Sequence, residues 1–382
     1  MLVRDLPRKQ VEIAAYPCTY TYMKAGKLKS PCLEGITPIF TDVDEGLWIR
    51  ANEYVTAFGT YDGQIVKSVK RQHEEMPDWQ IPDADWDAFY PSLDKALKRM
   101  SIIGQLECGG LTRGAEHFTP DKFPVVGETA QAHGYYVVTG LSGQGLAWAG
   151  GIGKILADMM YGTPEVDVTK IEVTRFINLH TGKQYLMERT PDVAGKVFKR
   201  TYRSHQFGTA RKLRTSPIHQ QMTDAGAVFG EVMGYERPLW FLGKSEKTRN
   251  PMFSGQDDLI GRPEWFSRVA KEYEACRERV GLIDLSSYAK FDVMGPDCVK
   301  LLQWLCSANI DVPVGSMVYS GMQNEMGGYV TDCTISRIGK KHYFIIAPTV
   351  QQLRLPMWIQ KWIFAKKYNV TLQLATLMAN ET

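Results

Sequence analysis

The twenty residues 134–153, GYYVVTGLSGQGLAWAGGIG, decide how the rest of the chain is read. They contain no Lys, Arg, Asp or Glu and match the length of a membrane-spanning helix. Seven of the twenty are glycine, however, and each interior glycine costs a helix up to about 1 kcal/mol against alanine. The segment therefore reads as a strand over Tyr135–Thr139, a loop over Gly140–Gly145, and a helix with Trp148, Ile152, Ile155 and Met159 on one face. Gly162 and Pro164 end that helix. Glycines behind a strand let a ligand come close to the backbone, and the helix start offers free N–H groups to an electron-rich oxygen. A tight turn with close helix–sheet packing would use the same residues, and spacing alone leaves both readings open. No GxGxxG follows a strand near the N-terminus, so this is not the first fingerprint of a dinucleotide fold.

Upstream of that unit, Tyr16–Met23, Leu47–Arg50 and Tyr54–Phe58 read as short strands, followed by a polar, proline-bearing stretch over Lys67–Asp85. Trp86, Phe89, Leu93, Leu97 and Met100 then recur at helical spacing, with Pro91 either starting or kinking the helix. Downstream, residues 181–214 are basic and lack apolar periodicity, and 243–258 has the composition of a linker. A new compact unit begins near Arg262. Trp265, Val269, Tyr273, Cys276 and Val280 are spaced for a helix, Lys290–Met294 and His342–Ala347 for strands, and Val299, Leu302 and Cys306 for a helix between them.

Composition closes several functional classes. Lys plus Arg exceed Asp plus Glu by only 45 to 42, too small a surplus for a nucleic-acid surface. Seven scattered cysteines without a CxxC pair argue against a disulfide scaffold or a structural zinc site and fit a reducing compartment. The histidines show neither HxH nor HExxH spacing, so no metal site is expected, and no serine lies in a GxSxG elbow. The basic run Lys196–Arg214 suits a solvated face or a surface for an acidic partner. The first residues, MLVRDLPRKQVEIAAYP, read as neither a signal peptide nor a good transit peptide.

Read together, Phe118-Thr119-Pro120-Asp121, Pro124-Val125-Val126-Gly127, Tyr135–Val138 and the following glycines form a block. It resembles the second flavin-contacting half of the glycine-oxidase or D-amino-acid-oxidase-like flavoproteins, in particular the dimethylglycine and sarcosine dehydrogenases. The resemblance implies FAD as cofactor. Its contacts would be Pro124, Gly127, Gly140, Ser142, Gly143, Gly145, Gly150 and Gly151, with the Gly140–Gly145 loop facing the isoalloxazine ring. Arg211–Ile218 and Gly234–Phe241 look like the central linker region of the family, and Gly281–Phe291 resembles the start of its aminomethyltransferase-like tetrahydrofolate domain. Between Leu302 and Gln352 the chain looks closest to the branch that regulates the mitochondrial pyruvate dehydrogenase phosphatase. That branch implies a regulatory subunit in the mitochondrial matrix, with the phosphatase catalytic subunit as partner. The alternative is an FAD-dependent dehydrogenase that demethylates dimethylglycine or sarcosine and passes the one-carbon unit to tetrahydrofolate.

Against the family pattern, the chain is expected to begin partway through the flavoprotein domain, without the Rossmann segment that holds the FAD pyrophosphate, so that FAD binding would be weak or absent. The expected fold is α+β, in three parts. Residues 1–163 form a partial D-amino-acid-oxidase-like lobe of mixed sheet and helices, 164–255 a connector, and 256–382 a truncated aminomethyltransferase-like domain. Without Rossmann strands, Tyr135–Thr139 is expected to lack a neighbour. Aminomethyltransferases carry a Gly-Gly-x-x-Asp-Asp stretch with a catalytic aspartate. Here the corresponding residues are Gly327, Gly328, Thr331 and Asp332, and a threonine cannot act as a carboxylate base. Asp332 alone remains as a catalytic candidate.

Overall fold

A computed structural model describes residues 11–28, 38–52, 54–61, 67–68, 83–200, 205–243 and 262–375. Strand β1 (Tyr16–Ala25) is the spine of the first unit. Its alternation of Tyr, Thr and Met suits a pleated strand packed on both faces, and most of its residues are buried. β2 (Phe40–Asp42), β3 (Leu47–Ala51), β4 (Thr56–Thr60) and the short β5 (Lys67–Ser68) lie to one side of it, in the order β2-β3-β4-β1-β5. Helix α1 (Trp86–Arg99) crosses one face. It begins well ahead of Pro91, where the Asp85 carboxylate accepts from the Ala88 N–H at 3.3 Å. Phe89 and Ala96 sink into a core with Met23, Leu47, Ile49 and Phe58.

β6 (Cys108–Phe118) runs along the other side of β1, in register from Tyr16 opposite Phe118 to Met23 opposite Leu111. All ladder pairs of this sheet among the described residues are antiparallel. β7 (Val125–Glu128) and β8 (Tyr136–Thr139) then form a separate antiparallel pair, and α2 (Gly145–Tyr161) follows, closed by Gly162. The expectation that the strand before the glycine loop lacks a neighbour is corrected here, because Val125–Glu128 folds back along it as a hairpin partner. Its other edge has no ladder partner among the described residues. β7 in turn takes a hydrogen bond from outside the pair, with the Val126 N–H donating to the Ile171 carbonyl at 2.8 Å.

The basic stretch 181–214 contains a helix that its sequence hides. α3 (Lys183–Ala194) buries Tyr185, Leu186, Arg189, Thr190, Val193 and Ala194. An arginine stands on the inward face where a hydrophobic residue would have signalled the period. Its guanidinium donates to the Thr209 carbonyl at 2.8 Å and to the Tyr185 hydroxyl at 3.3 Å, and it pairs with Glu231. α4 (His219–Asp224) leads into the hairpin of β9 (Ala227–Val232) and β10 (Tyr235–Phe241).

The second large unit opens with α5 (Phe266–Glu278), none of whose residues is buried. β11 (Ala289–Met294), α6 (Cys298–Leu305), β12 (Met317–Gln323), β13 (Tyr329–Gly339), β14 (His342–Ala347), α7 (Arg354–Lys366) and β15 (Thr371–Leu374) complete it. The sheet order is β12-β13-β14-β11-β15, antiparallel throughout. α6 and α7 cover one face, where Phe291, Leu301, Leu302, Tyr343, Ile345, Leu355 and Ile359 are wholly buried. Polar ties join the units. Arg354 meets Glu172 at 2.9 Å and Thr169 at 3.1 Å, while Arg214 donates to Gln352 at 2.9 Å and lies over the Tyr235 ring. No described helix is long and apolar enough to cross a membrane. The stretch 244–258 of the expected linker lies outside the described residues.

Candidate functional site

The site grows from the end of β6. Where that strand leaves β1, the turn at 119–123 is tied down at several points. The Thr119 hydroxyl donates to the Phe123 carbonyl at 2.8 Å, and Arg175 grips Asp121 with two nitrogens at 2.7 and 3.0 Å and the Phe123 carbonyl at 2.8 Å. A bidentate, charge-assisted pair of this kind fixes geometry as well as adding energy. The fixed Thr119 forms the wall behind Gly140. A side chain at Gly140 would bring its Cβ within 2.3 Å of the Thr119 methyl, and its φ of +65° independently favours glycine.

The glycine loop then folds back onto β6, with the Ser142 N–H donating to the His117 carbonyl at 3.3 Å. Ser142 is buried at φ 49°, a left-handed conformation that a serine adopts only where its surroundings impose it. Its hydroxyl donates to the Gly140 carbonyl at 3.1 Å. α2 starts directly after, and Gln144 at its N-cap makes no side-chain capping bond, which leaves N–H groups of the first turn without a side-chain acceptor.

Facing Gly143 is a group that spacing alone did not reveal. Glu116 on β6 accepts from the Tyr20 hydroxyl at 3.4 Å and from the Gly143 amide. Tyr20 stacks on Tyr22 and on Tyr61, at centroid distances of 6.3 and 5.7 Å, and Tyr61 meets Phe198 at 4.6 Å. Burial holds the Glu116 carboxyl above the usual range, with the bonds from Tyr20 and Gly143 opposing it. Burial first, and the Glu116 carboxylate second, push the Tyr20 phenol up to about 12 and raise Tyr61 as well. His117, next to Glu116, is held below its usual value by burial.

The structure gathers Gly140, Ser142, Gly143 and Gly145 into one loop. Pro124 stands just before Val125, the partner of Thr139 at the entry to the loop, and Gly127 pairs with Val137 farther along the hairpin. Pro124 is buried at the start of β7, and Gly127, at φ +121°, lies beneath the Met159 thioether of α2. Gly150 and Gly151 have no atom within 4 Å of where a Cβ would be, so this side of α2 faces open space. The open glycine surface and the uncapped helix start suit the ring end of a flavin. Asp332 lies elsewhere, on β13 of the second unit. Its carboxylate accepts from the Tyr319 hydroxyl at 2.8 Å, while Thr331 is buried and donates to the Asp332 carbonyl. Tyr20, Tyr61, Glu116 and Phe198 come from four separate segments. The one trace of their meeting in the sequence is the set Tyr16, Tyr20 and Tyr22 on one face of β1, with Tyr20 opposite Gly114, whose missing side chain leaves room for the Tyr20 ring.

Comparison with known proteins covers nearly the whole chain. Residues 2–159 match the FAD dependent oxidoreductase family, 161–216 its central domain, and 218–379 the GCVT N-terminal domain. The mouse pyruvate dehydrogenase phosphatase regulatory subunit is 33% identical over 96% of this chain and 41% of its own length. The 4-methylaminobutanoate oxidase (formaldehyde-forming) of Paenarthrobacter nicotinovorans is 31% identical over 96% of this chain and 44% of its own. Human sarcosine dehydrogenase is 28% identical over 81% of this chain and 36% of its own. The chain thus spans well under half the length of these curated relatives. Among solved structures, the glycine oxidase of Geobacillus kaustophilus is 18% identical, with a TM-score of 0.32 over 44% of this chain and 41% of its own.

Proposed function

The chain belongs to the family of FAD-dependent oxidoreductases that carry a GCVT-type domain, and from that premise we propose that it acts as a regulatory, flavoprotein-like subunit of the pyruvate dehydrogenase phosphatase. Its partner is then the catalytic subunit of that phosphatase and its location the mitochondrial matrix. With this goes a division into a flavin-facing lobe at 1–163, a connector at 164–255 and a folate-type unit at 256–382. The observation that carries the reading is Thr331. It is buried where the aminomethyltransferase pattern has an acid, and the neighbouring Asp332 is engaged by Tyr319, so one-carbon transfer lacks its paired carboxylates. The 33% identity to the mouse regulatory subunit over 96% of the chain supports it.

A second reading is favoured by Glu116. As a flavin-dependent demethylase of an N-methyl glycine with tetrahydrofolate as acceptor, the chain would need a proton acceptor beside the ring-facing loop. A carboxyl held above its usual range suits that task. FAD, when bound, supplies the hydride acceptor. The Gly140–Gly145 loop and the first N–H groups of α2 would hold its ring, with Pro124, Gly127, Gly150 and Gly151 shaping the seat behind.

One preparation separates the two. The purified 382-residue polypeptide is expected to carry less than stoichiometric FAD, because no glycine-rich phosphate cradle stands among its residues. Reconstituted with FAD, it is expected to show no bleaching of the flavin band with sarcosine or dimethylglycine. It is also expected to bind the phosphatase catalytic subunit in calorimetry and to change the rate of that subunit. Bleaching by either amine, without an effect on the phosphatase, would establish the dehydrogenase instead.

A further inference from the structure

The outer side of the two helices that cover the second sheet is lined with indoles and lysines. α7 turns Leu355 and Ile359 into the core and leaves Gln360, Lys361, Phe364 and Ala365 exposed on its far side. Trp358 and Trp362 stand half-buried on the shoulder between the two sides, with ring centroids 5.9 Å apart. Trp304 of α6 continues the row, 5.5 Å from Trp362. Trp304 is 51% exposed and Phe364 87%. The indole N–H groups of Trp358 and Trp362 are buried and have no acceptor, so the part of each ring that reaches the surface is hydrocarbon. Lysines lie over these rings. Lys361 Nζ is 5.0 and 5.4 Å from the centroids of Trp358 and Trp362, and Lys366 Nζ is 3.9 Å from that of Trp304. α7 carries no Asp or Glu, and its C-cap is a further lysine, Lys367. Arg354 is committed inside the molecule, to Glu172. The carboxylate that Lys361 meets, Glu325, is 3.8 Å away and more than half exposed.

Such a face makes two demands at once. Its ammonium groups are drawn to anionic oxygens, while its exposed indole and phenyl carbon gains by leaving water. An acidic loop of another protein meets the first demand and leaves the second. The headgroup layer of an anionic bilayer meets both, because tryptophan rings settle at that depth and lysines extend from them to the phosphates. We propose that the α6–α7 face, through Trp304, Trp358, Trp362, Phe364, Lys361 and Lys366, docks the protein reversibly on an anionic lipid surface. α7 keeps its inner side on the sheet while its outer side meets the headgroups, so docking requires no unfolding of the unit. The surface goes beyond the regulatory reading and does not rest on it, since it requires neither FAD nor the phosphatase.

The test sediments the full 382-residue chain with vesicles of phosphatidylcholine alone and of phosphatidylcholine mixed with phosphatidylglycerol. The chain is expected to bind the mixed vesicles about tenfold or more tightly than the neutral ones, and less tightly as added salt screens the charges. Lys361→Gln and Lys366→Gln are each expected to weaken binding about fivefold, and Phe364→Ser about tenfold. Lys98→Gln on α1 of the first unit is the control and is expected to leave binding unchanged. All four positions are exposed, and the comparison of vesicles is made on the unaltered chain. Equal binding to both vesicles, binding to neither, or Lys361→Gln and Lys366→Gln chains that bind as well as Lys98→Gln would each overturn the assignment. Capture of polyglutamate without sedimentation on vesicles would overturn it in favour of an acidic protein partner.

Discussion

Truncating Arg189 to alanine is expected to destabilise the fold by about 3–5 kcal/mol, read as a fall in the urea midpoint by far-UV circular dichroism. The arginine side chain is almost wholly buried and its Glu231 partner nearly so. Arg189 also satisfies the Thr209 carbonyl with two of its nitrogens and the Tyr185 hydroxyl with a third. Removing it leaves a carboxylate and a carbonyl without partners in a site that water barely reaches, and that desolvation is where the cost arises. Its rings, Tyr185 and Phe207, lose a cation at 5.2 and 4.9 Å as well. The double variant Arg189→Met with Glu231→Leu is expected to recover most of the loss, because an apolar pair of similar volume leaves no buried charge. A single variant within 1 kcal/mol of the parent would show that the pair is solvated in solution.

Acid is expected to act through His180. Burial first, and the charge of Arg214 second, push this imidazole down to about 4. Its Nδ1 accepts the Ile177 N–H at 3.2 Å, which requires that nitrogen to be unprotonated, and the ring is packed by Phe176 and Tyr185. The unfolded chain takes up the proton near 6.5, the folded chain only near 4. Stability from this residue is therefore full above pH 6.5 and is lost as pH falls toward 4, by roughly 3 kcal/mol at the end of that window. Carboxylates titrate in the lower part of the same window, so the informative quantity is the difference between the parent and His180→Asn. The variant is expected to show the shallower slope of unfolding free energy against pH. Equal slopes would mean that His180 is protonated in the native state.

Both residues stand in regions the sequence left blank, for one physical reason. Periodicity registers apolar residues, and α3 turns an arginine inward where a leucine would have signalled a helix. The strand–loop–helix at 135–161, β11, β14 and α6 are legible, because Val, Ile, Leu and Phe recur there at periods of two or 3.6, whereas β12, β13 and β15 are not read from the sequence. α5 shows the converse. Trp265, Val269 and Tyr273 repeat as a helical face should, yet the helix buries nothing. The ring-facing glycines announce themselves locally. The carboxylate and rings opposite them do not, since residues 20, 61, 116 and 198 meet only once β1 and β6 have paired and α3 has delivered Phe198. Long-range pairing of this kind leaves no mark on any window of fifteen residues.

The bare flank of β8 makes crowding a variable of this polypeptide's behaviour. Tyr136-Val137-Val138-Thr139 carries no proline or charge, and its side chains are half-buried or exposed. On the side away from β7, its amides and carbonyls have no strand to bond among the described residues. Water satisfies such a row in dilute solution, but a second copy satisfies it equally well and buries Val138 in doing so. Edge-to-edge pairing is favoured by mass action as molecules are packed closer. Solubility on concentration, rather than heat resistance, is where the open hairpin makes itself felt.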